Sequence, residues 1–201
     1  MKNSNSTHTL YMVELALMVA IIFVMAFTPL GYLRTPGLSI TFLTVPVAVG
    51  AIILGPKGGA ICGLAFGITS FMQAFGGGAF ATMLFSINPV GTAITCIVPR
   101  ILEGWLCGLV FAAAKKLSKN GSYFIGSLAC PLLNTLLFMS TLVLIFYNTD
   151  YIQGFVETLG VSNPFMFVVA FVGVQGLIEA VACTVIASVV SRTLALALKM
   201  G

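Results

Sequence analysis

Apolar stretches long enough to cross a bilayer follow one another through almost the whole chain, and charged residues gather near their ends. A spanning helix needs about twenty mostly apolar residues. Only helices or closed barrels satisfy every backbone N–H and C=O in hydrocarbon. Charged residues make up 7% of 201 positions, against about 25% in soluble domains, so this sequence is built for lipid. The expected fold is all-α, a polytopic membrane protein. Residues 1–201 are expected to form one domain, because no polar connection is long enough to bury a core of its own.

Glycine, proline and polar residues break the chain at 31–37, 55–58, 76–86, 115–122 and 148–163. Six transmembrane helices in one bundle result, over roughly 10–29, 38–54, 59–75, 87–115, 122–147 and 164–198. Pro89 and Pro164 stand where proline is best tolerated, in a first helical turn. The stretch from Leu10 to Pro29 is too long for a signal-peptide core and lacks a small-residue cleavage site, so it is expected to stay as a spanning helix. Numbering the connections alternately collects Lys2, Lys57, Lys115, Lys116, Lys119, Arg192 and Lys199 on one side, and Arg34 with Asp150 and Glu157 on the other. The excess of Lys and Arg on cytoplasmic loops then puts both termini in the cytoplasm, in a multi-pass protein of the cell membrane. The same sorting explains the net charge of +4 without a nucleic acid. Two connections, 31–37 and 75–85, mix glycine with large apolar residues. They are read either as loops folding over a cavity on the external face or as loops dipping aromatics into the headgroups.

Inside the spans, Arg100 lies about twelve residues from the external end of the fourth, with Glu103 one turn further on the same face. Glu179 sits at similar depth in the sixth, preceded one turn earlier by Gln175. Each charge costs about 3 kcal/mol in hydrocarbon, so these groups are expected to face the interior and pair, with Asn134 within reach. Pro99 removes a backbone donor and frees a carbonyl near the arginine. Two readings stand, a substrate or ion site and a buried ion-pair network that fixes helix register. An anionic substrate has further anchors in Arg34 and in the helix N-terminus at Asn88 and Pro89.

Small residues recur at four-residue spacing at Ala16 and Ala20, at Gly59, Gly63 and Gly67, and at Gly104 and Gly108. Such spacing lets helices approach closely. The glycines are expected to pack within the bundle, and the alanines of the first helix to meet another protein. The five cysteines fall in apolar stretches without C-x-x-C spacing and read as packing residues. The only histidine, His8, lies in the polar N-terminus, which argues against a histidine-metal site or a His-based triad. Gly55-Pro-Lys-Gly58 has no Ser or Thr after the lysine and does not read as a nucleotide loop. No metal, cofactor or enzymatic activity is expected.

The run from Thr41 to Ala60 (TFLTVPVAVGAIILGPKGGA), then Gly63-Leu-Ala-Phe-Gly-Ile-Thr-Ser70, Asn88-Pro89 and Val98-Pro-Arg-Ile-Leu-Glu-Gly104, resembles the substrate-binding S components of energy-coupling factor (ECF) vitamin transporters. The likeness covers nearly the whole chain, and Ala16-Leu-Met-Val-Ala20 is similar to the A-x-x-x-A motif through which that family meets its transmembrane coupling subunit. The resemblance implies a micronutrient bound near the external face. It also implies release inside by toppling of the whole S component, driven by two cytosolic ATPase subunits through the coupling subunit. The family's pocket maps here to the Arg34 loop, Asn88, Arg100, the segment around Asn163, Phe171 and Gln175, with Glu179 one turn beyond. The Asn-Pro and Pro-Arg-Ile-Leu segments look closest to pantothenate-type members. Riboflavin or a pyrimidine or pyridoxine precursor stays open, as does a stand-alone secondary transporter with Glu103 and Glu179 binding protons.

Overall fold

The computed structural model describes residues 4–33, 40–76 and 78–198. Lys2, Arg34 and Lys199 therefore lie outside the described residues. Helix α1 (Ser4–Ala26) leads through a short antiparallel ribbon, β1 (Tyr32–Leu33) and β2 (Ile40–Thr41), into α2 (Thr44–Met72). After a 3-10 turn (Gln73–Phe75) come α3 (Ala79–Ile87), α4 (Pro89–Leu117), α5 (Gly121–Phe146), α6 (Asp150–Thr158) and α7 (Pro164–Ala197). The all-α expectation holds, in a chain whose long helices are apolar enough to cross a membrane.

Five helical stretches meet that length and composition, and the second is folded in two. Gly55 has φ 79° and ψ −175°, a conformation that favours glycine. A β-carbon at Gly50 would lie 2.6 Å from Cys62 Sγ, although twelve residues of straight helix span about 18 Å. Residues 44–54 and 56–72 are therefore two arms packed side by side, and Pro56 opens the second where its missing N–H is no loss. The break expected over 55–58 is thus a reversal at one residue. The expected connections at 76–86 and 148–163 differ more, because each contains a nine-residue helix, α3 and α6. These are too short to span, but each buries an apolar face: Leu84 from α3, Ile152 and Val156 from α6.

The centre of the molecule is the packing of α2 on α4, and it depends on glycine. A β-carbon at Gly59 would overlap the carbonyl of Gly104, and one at Gly63 would overlap that of Arg100. Backbones come this close only when nothing projects between them. α5 packs on α4, α7 on α5 and on α2, and α1 on α2. One apolar cluster joins Leu15 and Ile22 of α1 to Val47 and Phe66 of α2 and to Cys107 and Cys130. A second joins Leu84, Met139, Phe146, Ile152 and Phe167. All five cysteines are free and buried. Ala16 and Ala20 are exposed on the face of α1 turned away from Leu15 and Ile22.

Helix directions place Lys57, Lys115, Lys116, Lys119 and Arg192 at one end, with the α2 reversal and the end of α4. Asp150 and Glu157 stand at the other, with the ribbon and α3. The α2–α4 contact predicts that Gly63→Leu lowers the melting temperature in detergent by roughly 5 °C or more, as overpacking does. Gly154→Ala, whose β-carbon would meet nothing within 4 Å, should leave it unchanged. Equal melting of the two variants would contradict the close approach.

Candidate functional site

Two asparagine-proline pairs start the helices that carry the polar residues. Asn88 Oδ1 accepts the Gly91 N–H at 2.9 Å, with Pro89 in the first turn of α4. Asn163 Oδ1 accepts the Met166 N–H at 2.8 Å, with Pro164 in the first turn of α7. Both side chains satisfy donors that a helix start leaves open.

Ten residues into α4, Pro99 has no N–H to give the carbonyl of Thr95, its partner four residues back. Arg100 fills that place: its Nη1 donates to Thr95 O at 2.7 Å. The guanidinium carbon lies 4.3 Å from the centroid of the Phe138 ring on α5 and 5.3 Å from that of Phe66 on α2. Desolvated contacts of this kind contribute about 2 kcal/mol. Gly63, one turn before Phe66, is what brings α4 near enough for the second ring.

The expected pairing of Arg100 with Glu103 and Glu179 is corrected here. Among the described residues no carboxylate pairs with Arg100, whose donor bond goes to a carbonyl and whose faces meet rings. Glu103 is fully buried and turns to α5, where Cys130 Sγ donates to its Oε1 at 3.1 Å. Glu179 accepts the Thr41 N–H at 3.0 Å and Asn134 Nδ2 at 3.4 Å. The physical reason is supply: Pro99 and two aromatic faces satisfy the cation, and backbone and amide donors satisfy Glu179.

These groups surround a cavity of about 540 Å³, in the size range of small-molecule sites. Its wall takes Tyr32, Ile40 and Thr41 from the ribbon, Phe66 and Ser70 from the end of α2, Gln73 from the 3-10 turn, and Ala79, Phe80 and Leu84 from α3. Thr92, Thr95, Cys96 and Arg100 come from α4, Asn134, Thr135, Phe138 and Met139 from α5, and Val172, Gln175 and Glu179 from α7. A break at Gly173 (φ 41°) falls between Val172 and Gln175 of the last group. Most of the wall is apolar, and Arg100 is the only basic side chain on it among the described residues.

Of the residues singled out from sequence, Arg100, Gln175 and Glu179 line this cavity together with Asn134. Phe171 stands behind the wall, stacked on Phe167 at 5.0 Å and 5.9 Å from Phe80, which lines it. Asn88 and Asn163 are not among the lining residues and act as caps. Sequence reasoning missed Tyr32 and Thr95. Thr95 had a signal, four residues before Pro99. Tyr32 had none, because its place depends on ribbon pairing with Thr41. Burial pushes the Tyr32 phenol above its ordinary range, against the opposing pull of Arg100, so it stays a neutral hydroxyl.

Comparison with known proteins adds an independent line. A family model described as ECF transporter, substrate-specific component, matches residues 10–191. The pantothenate transporter PanT of Leuconostoc mesenteroides is 32% identical over 143 residues, which cover 65% of this chain and 67% of that protein. The pantothenic acid transporter PanT of Lactococcus lactis is 34% identical over 119 residues, covering 54% of this chain and 59% of the relative. The matched region thus spans about three fifths of that second relative.

The two bonds to Glu179 predict that Glu179→Ala, which strands the Thr41 N–H, raises the hydrogen-exchange rate of that amide at least tenfold, a loss of about 1.4 kcal/mol. Arg100→Met should leave that rate unchanged. An unaltered Thr41 amide in Glu179→Ala would show that the ribbon does not depend on this carboxylate.

Proposed function

This chain belongs to the ECF transporter substrate-specific component family, and from that premise we propose that it is the pantothenate-binding membrane subunit of such an importer. Membership makes it a multi-pass membrane protein and a transport component that works with the other parts of an ECF transporter. Which vitamin it takes, how it sits in the membrane and which surfaces it uses are the proposal.

The observation that carries the reading is one fixed cation on a largely apolar cavity wall. Arg100 is held by Thr95 O and two rings; among the described residues no carboxylate is in ion-pair contact with it and its buried Nε makes no hydrogen bond, so its charge is available to an anion. An arginine so placed suits a carboxylate. Pantothenate carries a carboxylate, an amide and two hydroxyls, and both relatives are named for it. A flat ring substrate fits less well, since the Phe66 and Phe138 faces are engaged by the guanidinium. Proton-coupled secondary transport loses a carrier, since Glu103 does not line the cavity.

In this reading Arg100 binds the carboxylate, Gln175 lines the path beside it, and Phe171 backs the wall through Phe80. Glu179 holds the ribbon and Asn134 in place. Asn88 and Asn163 contribute by starting α4 and α7, and Arg34, outside the described residues, is kept as a second anchor for the anion on the family resemblance alone. Exposed Ala16 and Ala20 offer the flat face for the transmembrane coupling subunit, itself driven by two cytosolic ATPase subunits. The basic end of the bundle faces the cytoplasm with both termini, and the cavity faces outward.

Calorimetric titration of the purified chain with pantothenate tests the reading. Arg100→Met should weaken binding about a hundredfold, the loss of a charge-assisted contact of nearly 3 kcal/mol; unchanged affinity removes Arg100 from the site. Replacing Ala16 and Ala20 with Trp should abolish transport and complex assembly yet leave pantothenate binding intact, and loss of binding would mean that this face packs internally. A cysteine probe at Ser118 should react only from the cytoplasm and one at Thr158 only from outside; the reverse pattern would invert the topology.

A further inference from the structure

Seven buried side-chain polar atoms among the described residues have no hydrogen-bond partner in the protein. Four of them, Tyr32 Oη, Thr95 Oγ1, Arg100 Nε and Asn134 Oδ1, belong to residues that line the one cavity described above. A folded protein leaves few such atoms, and each that remains calls for an explanation. Four at one cavity, on the ribbon, α4 and α5, form a recognition pattern.

The chemistry of each atom says what it can meet. Arg100 Nε donates, and with its charge it takes an anion. Asn134 gives its Nδ2 to Glu179, so the carboxylate fixes which way the amide faces, and its Oδ1 accepts only. That oxygen needs an O–H or N–H from the occupant. Tyr32 Oη and Thr95 Oγ1 donate and accept, so they suit hydroxyl or amide groups. Together they describe a molecule with an anionic group, at least one hydrogen-bond donor and further hydroxyl or carbonyl oxygens. A bare aliphatic carboxylate would leave three of the four unmet.

Resting on the pantothenate reading, we infer that the Tyr32 hydroxyl is a specificity-determining group, which hydrogen-bonds the hydroxyl and amide portion of the ligand whose carboxylate sits on Arg100. Its position is built. Tyr32 pairs with Thr41 across the ribbon, the Thr41 N–H is held by Glu179 at 3.0 Å, and the Phe42 N–H is held by Gly31 O at 3.0 Å. Ser70 and Gln73 stand beside the phenol but complete no hydrogen bond with it. The selective contact therefore comes from a ribbon outside the spanning helices, and Glu179 is its positioning residue.

The test is Tyr32→Phe, which removes one oxygen and keeps the ring. Because that oxygen has no hydrogen-bond partner among the described residues, melting of the ligand-free variant should match that of the wild type. Pantothenate affinity, measured by calorimetry on both proteins, should fall tenfold or more. Undiminished affinity overturns the inference and leaves the pantothenate reading standing. A fall in affinity together with lower ligand-free stability also overturns it, since the hydroxyl would then be structural. Failure of the wild type to bind pantothenate sinks the reading itself, and this assignment with it.

Discussion

A carbonyl without its donor sets the chemistry of this molecule. Within a membrane no water is at hand to satisfy it, so the Thr95 oxygen that Pro99 leaves open must find another partner, and Arg100 on the next residue supplies one. The arrangement solves two problems at once. A buried carbonyl gains a strong donor, and a costly buried cation gains a fixed place without a carboxylate in contact with it among the described residues. Phe66 and Phe138 complete the seat, and the glycine contact between α2 and α4 brings the first of these rings within range. Had Arg100 paired with a glutamate, its charge would have been spent inside the protein.

The outer wall of the cavity is made from the elements that do not span. Phe80 of α3 meets Tyr151 and Phe155 of α6 and Phe171 of α7, with ring centroids 5.9 to 6.3 Å apart. The ribbon is tied to α7 through Thr41 and Glu179. These are local contacts of short pieces, whereas the spanning helices behind them interlock through backbone. Gly173 marks where the wall of α7 changes direction.

Much of the fold was legible because lipid imposes simple rules. Span length, the reversal near Gly55 and the glycine spacing follow from the need to satisfy every backbone group and to pack without a hydrophobic drive. The freed carbonyl near Arg100 was legible for the same reason. The partner of Arg100 was not, because sequence places charges at a depth but does not say which neighbours face them. Asn88 and Asn163 were read as ligand contacts, although Asn followed by Pro is also the signature of a helix start. The helices α3 and α6 were hidden by their length, since a division of the chain into spans of about twenty apolar residues passes over nine-residue helices. Tyr32 was beyond reach, as its place depends on a register with Thr41 that only the folded ribbon defines.

The central claim is that Arg100, seated on Thr95 and in ion-pair contact with no carboxylate among the described residues, holds the carboxylate of the transported vitamin. The most direct measurement is an experimental structure of the chain with pantothenate bound. The account predicts the ligand carboxylate within hydrogen-bonding distance of the Arg100 guanidinium while Nη1 stays on Thr95 O and Glu179 stays on Thr41. A carboxylate seated elsewhere, or an Arg100 that has swung to pair with Glu179, would contradict it.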